Sequence, residues 1–232
     1  MSAPELSFVT TKDGSSTLFH PIIGENYHSI HGAHQESLHV FVNSGLAYYH
    51  NLHQQTSISI LEIGFGTGLN FLLTADHAVQ HNLNIDYTGI EAYPLPVSIV
   101  QETSYHQYLS NDGLWNDFIN QYEQAYQNPK QINNNIQLEI LENELLKFNS
   151  DKRFDIIYFD AFAKSHQPSM WTEESIAKAC SFLKDKGIFV TYSVTGDLKR
   201  ALKSLGFTIE RPQGAAGKRE MMRATFIQKN DL

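Results

Sequence analysis

Leu61-Glu62-Ile63-Gly64-Phe65-Gly66-Thr67-Gly68-Leu69-Asn70 is the stretch on which the reading of the whole chain turns. It follows the apolar, β-branched run Ile58-Ser59-Ile60 and leads into Asn70-Phe71-Leu72-Leu73, the start of a predicted helix. Glycine at every second position between a strand and a helix lets the backbone turn sharply and approach a ligand closely. The helix behind it offers unpaired N–H groups. A dinucleotide fingerprint, G-x-G-x-x-G, has its third glycine one place later, where this chain has Leu69. Glu62, two places before the first glycine, would repel a pyrophosphate and suits a cationic ligand or an ammonium group.

E-x-G-x-G-x-G resembles the first motif of the class I methyltransferases, whose cofactor S-adenosylmethionine carries both a sulfonium and an ammonium. A second acid supports a cofactor site. Asn84-Ile85-Asp86-Tyr87-Thr88-Gly89-Ile90 reads as a strand ending on Glu91, and Gly64 and Glu91 lie 27 residues apart, close to the interval of one βαβ unit. An acid at that strand end is where nucleotide-binding α/β domains hold ribose hydroxyls.

The 232 residues suit one sizeable α/β domain with an added segment, and a 41% hydrophobic, 18% charged composition is that of a globular protein. No apolar run is long enough to span a bilayer. Met1-Ser2-Ala3-Pro4-Glu5 lacks the features of a secretory signal, so no membrane association and a cytoplasmic location are expected. The single cysteine, Cys180, excludes an internal disulfide and a cysteine-based zinc site, and reads as a small core residue. Net charge is −8 but uneven: residues 199–232, with Lys199, Arg200, Lys203, Arg211, Lys218, Arg219, Arg223 and Lys229 against Glu210, Glu220 and Asp231, carry +5 and leave −13 on residues 1–198. A local basic patch on an acidic body can still bind phosphates.

Along the chain, residues 1–55 read as an extension and residues 56–232 as the core domain. Leu6-Ser7-Phe8-Val9-Thr10 and Thr17-Leu18-Phe19-His20 flank Asp13-Gly14, a hairpin signal, and a helix is predicted from Gln35 to about Tyr49. His28, His31 and His34 recur every third residue, but no carboxylate or thiolate completes a familiar metal set, and no metal is expected. After the second strand, residues 94–128 read as helical with a break near Asn111-Asp112-Gly113. Ile136 to Leu141 alternates as a third strand ending at Glu142-Asn143, whose amide can hydrogen-bond an adenine edge or begin a turn. Phe154 to Asp160 is nearly continuous in apolar residues, as a buried parallel strand should be, and delivers Asp160 to the ligand crevice. A helix follows from Glu173 to Leu183, then a strand from Gly187 to Tyr192, a helix from Gly196 to Leu205, and two strands, 206–210 and 224–227, suited to an antiparallel edge pair.

Four stretches in order resemble the methyltransferase domain of the MnmC/MnmD family. They are Glu25-Asn26-Tyr27-His28-Ser29 with Glu36-Ser37-Leu38-His39-Val40-Phe41; Gly64 to Leu72; Asp160-Ala161-Phe162 with Pro168-Ser169-Met170-Trp171-Thr172; and Thr191-Tyr192-Ser193 with Gly217-Lys218-Arg219-Glu220-Met221. The resemblance implies a Rossmann-like α/β fold of class I, a mostly parallel seven-stranded sheet with helices on both faces, plus the N-terminal β-hairpin/helix extension. It implies S-adenosyl-L-methionine as cofactor and tRNA as partner. The implied reaction methylates the amine of 5-aminomethyl-2-thiouridine at the wobble position. In fused members an FAD-dependent oxidase domain prepares the amine; no second glycine-rich βαβ unit is found here, so the standalone form is expected, with a separate oxidase as a possible partner. Lys164 stands where the family usually has proline, and Asn143 where it often has Asp.

Asp160 is the candidate catalytic residue, orienting the amine and accepting its proton. Glu62, Gly64, Phe65, Gly66, Gly68, Asn70, Glu91, Asn143, Asp160, Ala161 and Phe162 are the candidate cofactor residues. Tyr27, His28, Glu36 and Tyr192 are candidates for the acceptor base, and Lys199, Arg200, Lys218, Arg219 and Arg223 for tRNA phosphates. Two rivals remain open: a polyamine-type small-molecule transferase, which shares an acidic loop and the Asp160 position, and a catalytically silent tRNA-binding module.

Overall fold

Asp13-Gly14 turns the first hairpin, with Gly14 at φ 84°. In the computed structural model, which describes residues 5–215 and 217–227, β1 (Ser7–Thr10) pairs antiparallel with β2 (Ser16–His20). Met1–Pro4, Lys229 and Asp231 lie outside the described residues. A short β3 (Glu25–Asn26) adds a third strand that two polar residues give no pattern to announce. The Asp13 carboxylate then accepts from Gln35 N at 3.0 Å, satisfying the first turn of the next helix. That helix spans the predicted stretch and more: α1 (Ala33–Ser37), a π-helical segment (Leu38–Ala47) and α2 (Tyr48–His53).

The core alternates strand and helix. β4 (Ser57–Ile63), α3 (Leu69–Gln80), β5 (Asn84–Glu91), α4 (Val97–Glu102) and α5 (Asp112–Ala125) come first. β6 (Lys130–Asn133), β7 (Ile136–Glu142), β8 (Phe154–Phe159) and α6 (Glu173–Cys180) follow. β9 (Leu183–Thr191), α7 (Gly196–Ser204), β10 (Thr208–Glu210) and β11 (Met222–Thr225) complete it. Caps mark the helix starts as side-chain chemistry dictates. Asn111 accepts from Gly113 N, Thr172 from Ser175 N and Thr195 from Leu198 N. Glu173 and Glu174 add negative charge to the first turn of α6.

The main sheet has the order β10-β11-β9-β8-β4-β5-β7-β6, eight strands rather than the seven expected. The additional strand is β6, an antiparallel edge partner of β7; of its four residues only Ile132 is buried, so no alternating pattern reveals it. β5, β4, β8, β9 and β7 run parallel, and the β10–β11 edge pair is antiparallel as expected. β9 begins at Leu183, four residues before the predicted start, and ends α6 at Cys180. Cys180 is buried and unpaired.

β8 is buried at all six positions, with helices over both faces. Ile60, Ile156, Tyr158 and Val190 face one cluster, which also takes in Leu18, Phe41 and Leu46 from before β4. Leu61, Ile157, Phe159 and Phe189 face the other, against Ile176 of α6 and Leu202 of α7. The chain fills the sheet outward from β4 through β5 to β7, then crosses to β8 and β9. The order therefore reverses between β4 and β8, and their carboxyl ends open a crevice there. No helix among the described residues is long and apolar enough to cross a membrane.

Candidate active site

Gly64, Gly66 and Gly68 leave β4 at φ 90°, 53° and 79°, a region that side chains disfavour. Each has its own neighbour. A Cβ on Gly64 would lie 2.3 Å from Asp160 O, one on Gly66 3.1 Å from Tyr27 Cδ1, and one on Gly68 2.9 Å from Phe118 Cζ. The backbone N–H groups of Gly64 and Phe65 both donate to Ile90 O, at 3.0 and 3.1 Å, while Asp160 N donates to Ile63 O at 2.9 Å. The loop is thereby stitched to both neighbouring strand ends. Phe65 is among the cofactor candidates. Its side chain is 2% exposed and lies under Gly89, beside Phe71, so it faces the core and leaves the crevice to the glycines.

Carboxyl groups crowd behind the loop. Asn70 Nδ2 donates to Glu62 Oε1 at 2.7 Å and to Asp160 Oδ2 at 2.8 Å, and Tyr87 OH donates to Glu62 Oε2 at 2.8 Å. Glu62 is fully buried with both oxygens engaged, so it braces Asn70 and does not itself line the crevice. Burial pushes its pKa well above the carboxylate range, against the Asn70 hydrogen bond, with Asp160 repulsion adding to the rise. Asp160 is pushed up to about 7 by burial and then by the negative charge of Glu36, with Asn70 and Lys218 pulling the other way. Glu91 accepts from Gly66 N and from Tyr93 N, both at 2.9 Å, so the second-strand acid pins the glycine loop from the far side. Burial raises its pKa as well. Asn143 N donates to Glu91 O at 3.0 Å, bringing the end of β7 alongside.

Aromatic rings and a lysine close the other wall. Tyr27 packs edge-on against Phe162, ring centroids 5.1 Å apart, with His20 behind Phe162 at 6.1 Å. Trp171 Nε1 donates to Phe162 O at 2.7 Å and Tyr192 OH donates to Ala161 O at 2.8 Å, so the segment after Asp160 is held from two sides. Glu25 Oε2 accepts from Ala163 N at 2.7 Å. Glu25, Tyr87 and Trp171, which sequence reasoning did not assign, hold Ala163, Glu62 and Phe162 in place; the adjacency of Glu25 to Asn26-Tyr27 and of Trp171 to the Asp160 block is a signal the sequence carried, and Tyr87 had none.

The basic residues divide. Lys218, expected on phosphates, turns inward: its ammonium pairs with the Glu36 carboxylate and lies 3.9 Å from the Tyr192 ring centroid. Arg223 is likewise engaged, stacked 3.3 Å over Tyr48 and bonded to Glu210 at 2.8 Å. Arg219 and Arg200 are exposed and Lys199 is half-buried, Arg200 pairing with Asp197, which also holds Lys164. His28 is set away from a reactive role: Thr17 Oγ1 lies 3.2 Å from its Nδ1, Tyr105 meets it edge-on, and burial lowers its pKa to about 4. His34 stacks on Tyr108 at 4.5 Å, and His31 lies against Gly217. Among the described residues no group of three or more His, Cys, Asp or Glu is placed to hold a metal.

Both the sequence and the fold match known proteins. The profile of the S-adenosyl-L-methionine-dependent methyltransferase family matches residues 103–227, more than half of the chain. The tRNA 5-methylaminomethyl-2-thiouridine biosynthesis bifunctional protein MnmC of Methylobacillus flagellatus is 27% identical over 242 residues, covering 97% of this chain and 36% of the relative. The protein of the same name from Burkholderia thailandensis is 28% identical over 235 residues, covering 96% and 35%. The chain thus spans about a third of the length of these curated relatives. In fold it is similar to MNMC2 from Aquifex aeolicus, with a TM-score of 0.76 at 23% identity over 100% of this chain and 74% of that one. A glycine cradle at the sheet's reversal point, acids on two strand ends and a family profile spanning residues 103–227 agree on S-adenosyl-L-methionine as cofactor, and the chain belongs to the S-adenosyl-L-methionine-dependent methyltransferases.

Proposed function

We propose that this chain methylates the aminomethyl nitrogen of 5-aminomethyl-2-thiouridine at the tRNA wobble position, giving 5-methylaminomethyl-2-thiouridine. The observation that carries the reading is Asp160, a carboxyl raised to about 7 at the mouth of a crevice otherwise rich in acids and aromatic rings. An alkylamine has a pKa of about 10 and arrives as an ammonium. Acids attract that cation, and one that titrates near neutrality can take its proton before attack. The Methylobacillus and Burkholderia relatives are named for the biosynthesis of 5-methylaminomethyl-2-thiouridine in tRNA.

The residues present fit the cofactor. Asn70 Oδ1 is a buried acceptor with no hydrogen-bond partner among the described residues, an acceptor suited to an ammonium, and a Cβ at Gly66 would fill space beside the Tyr27 ring. In this reading Gly64, Gly66, Gly68, Asn70 and the Ala161–Phe162 backbone hold the cofactor, Glu91 accepts from its ribose, and Asn143 meets its adenine. When bound, S-adenosylmethionine supplies an electrophilic methyl carbon on a sulfonium. Asp160 orients the acceptor and takes its proton, directly or through water. Alignment of this kind supplies several kcal/mol, about 7–11 at its limit. Tyr27 and Phe162 offer faces for the uracil ring. Lys199, Arg200 and Arg219 contact tRNA phosphates, and residues 1–55 act as an extension of the methyltransferase domain 56–232. A separate FAD-dependent oxidase is the partner that would unmask the amine, and the cytoplasm is where tRNA would be met.

The test is transfer of label from S-adenosylmethionine to tRNA bearing the aminomethyl group. Transfer that tRNA lacking the amine does not support is the expected result. A cofactor-bound protein that labels no tRNA, but labels free polyamines, would replace this reading with the small-molecule one.

A further inference from the structure

Among the described residues, Lys218 is the cation drawn against the acids and aromatic rings of the crevice, from a loop that otherwise lies outside it. The loop is tied down by a bridge between Gln213 and Glu220, and by Gly217 at φ 84°, whose Cβ would lie 2.8 Å from His31 Cδ2. From there the Lys218 ammonium reaches the Glu36 carboxylate and stands over the Tyr192 ring. Both partners are also held by contacts other than the lysine. Glu36 is 7% exposed and its other oxygen accepts from Ser29 N at 3.3 Å; Tyr192 is anchored through its hydroxyl to Ala161 O, one residue after Asp160. The Lys218 side chain is 32% exposed, so it stands at the wall of the crevice and not beneath it.

A carboxylate opposite an aromatic face is a receptor for a primary ammonium, which has three N–H donors and no acceptor. Lysine Nζ and the nitrogen of an aminomethyl group are chemically the same ion. We propose that Glu36 and the Tyr192 ring form the seat for the acceptor's ammonium, and that Lys218 fills this seat until the acceptor displaces it. The inference rests on the reading that the acceptor is a primary amine, and not on its being a tRNA. Exchange of one ammonium for another never leaves the buried Glu36 charge bare, a state that is strongly unfavourable. It also makes the seat selective: an acceptor with a hydroxyl in place of the amine cannot replace the lysine.

The experiment uses the full chain loaded with S-adenosylhomocysteine and the probe n-propylammonium, compared with n-propanol, by calorimetry. Lys218→Met should bind n-propylammonium about tenfold more tightly than the wild type, on the scale of one desolvated cation–π contact. Lys218→Met/Glu36→Gln and Lys218→Met/Tyr192→Leu should lose that gain, and n-propanol should bind none of them measurably. Unchanged or weaker n-propylammonium binding by Lys218→Met overturns the seat. So does a gain that survives Glu36→Gln. Label transfer to aminomethyl tRNA by the wild type is scored separately; its failure would remove the tRNA substrate while the probe still decides the seat.

Discussion

One amide hydrogen bond, Asn70 Nδ2 to Asp160 Oδ2 at 2.8 Å, joins the first turn of α3 to the carboxyl end of β8 across the sheet's reversal point. The same nitrogen donates to Glu62, so removing it takes a hydrogen bond from two carboxyl groups at once. Asn70→Leu should lower kcat/KM by about 100-fold, in keeping with the loss of a charge-assisted hydrogen bond at a reacting group. It should also move the acid limb of the pH profile upward, because the hydrogen bond it deletes is one that lowers Asp160. An acid limb that stays in place would show that Asn70 does not govern Asp160.

Asp160 itself links activity and stability with opposite signs. Turnover should rise with pH through about 7 as the carboxyl ionises, and Asp160→Asn should lose that limb together with most of the rate. The folded pKa lies above the ordinary aspartate value of 3.8, so the folded state holds this proton more tightly than the unfolded chain. Its favourable contribution is full below 3.8 and is lost as pH rises through 7. Asp160→Asn should therefore melt higher than the wild type at pH 8, by ~2–4 °C for each kcal/mol gained, and the gain should vanish toward pH 4. Thermal melts across that range check it.

The glycines should not be equivalent. At Gly64 a methyl group meets the backbone of Asp160, which cannot swing aside, whereas at Gly66 it meets the edge of the Tyr27 ring. Both substitutions also carry the left-handed backbone cost of about 1–2 kcal/mol. Gly66→Ala should fold and bind cofactor weakly. Gly64→Ala should either fail to fold or lose cofactor binding altogether, as expression and calorimetry would show.

Far from the crevice, Asp155 at the start of β8 accepts from Ser59 N at 2.8 Å, Tyr49 OH at 3.0 Å and Lys184 Nζ at 2.9 Å. Burial works against its ionised form, but the hydrogen bonds from Lys184 and Ser59 prevail and hold its pKa below the usual value. This contribution is present above the unfolded carboxylate pKa and lost as pH falls through the folded one. Lys184 is partly exposed, which discounts the pair, so Lys184→Met should cost about 1 kcal/mol at pH 7 and nothing in turnover per folded molecule. Chemical denaturation at pH 7 and pH 3 separates the pH-dependent part.

Features set by short spacings were legible in the sequence. Gly64 to Gly68, Glu91 and Asp160 all sit on strand ends, and a buried strand followed by its loop fixes where such residues go. The direction of Phe65 was not legible, because alternation stops at the strand end and nothing local says whether the loop residue turns in or out. β6 escaped because Ile132 is its lone buried side chain. Lys218 escaped for a different reason: counting charges treats every basic residue as surface, and its partner Glu36 lies 182 positions away.

That separation bears on how the protein becomes active during synthesis. Residues 27–39 meet residues 213–223 through Lys218 with Glu36, His31 with Gly217, and His39 Nε2 at 2.7 Å from Gln213 O. Contacts so distant in sequence form late, after the loop-closure entropy between them has been met. A nascent chain emerging from the ribosome can assemble β4, β5 and the glycine loop long before residue 218 exists. The glycine loop, Glu91 and Asp160 are thus all made before the segment that carries Lys218, so this wall of the crevice is the last to close.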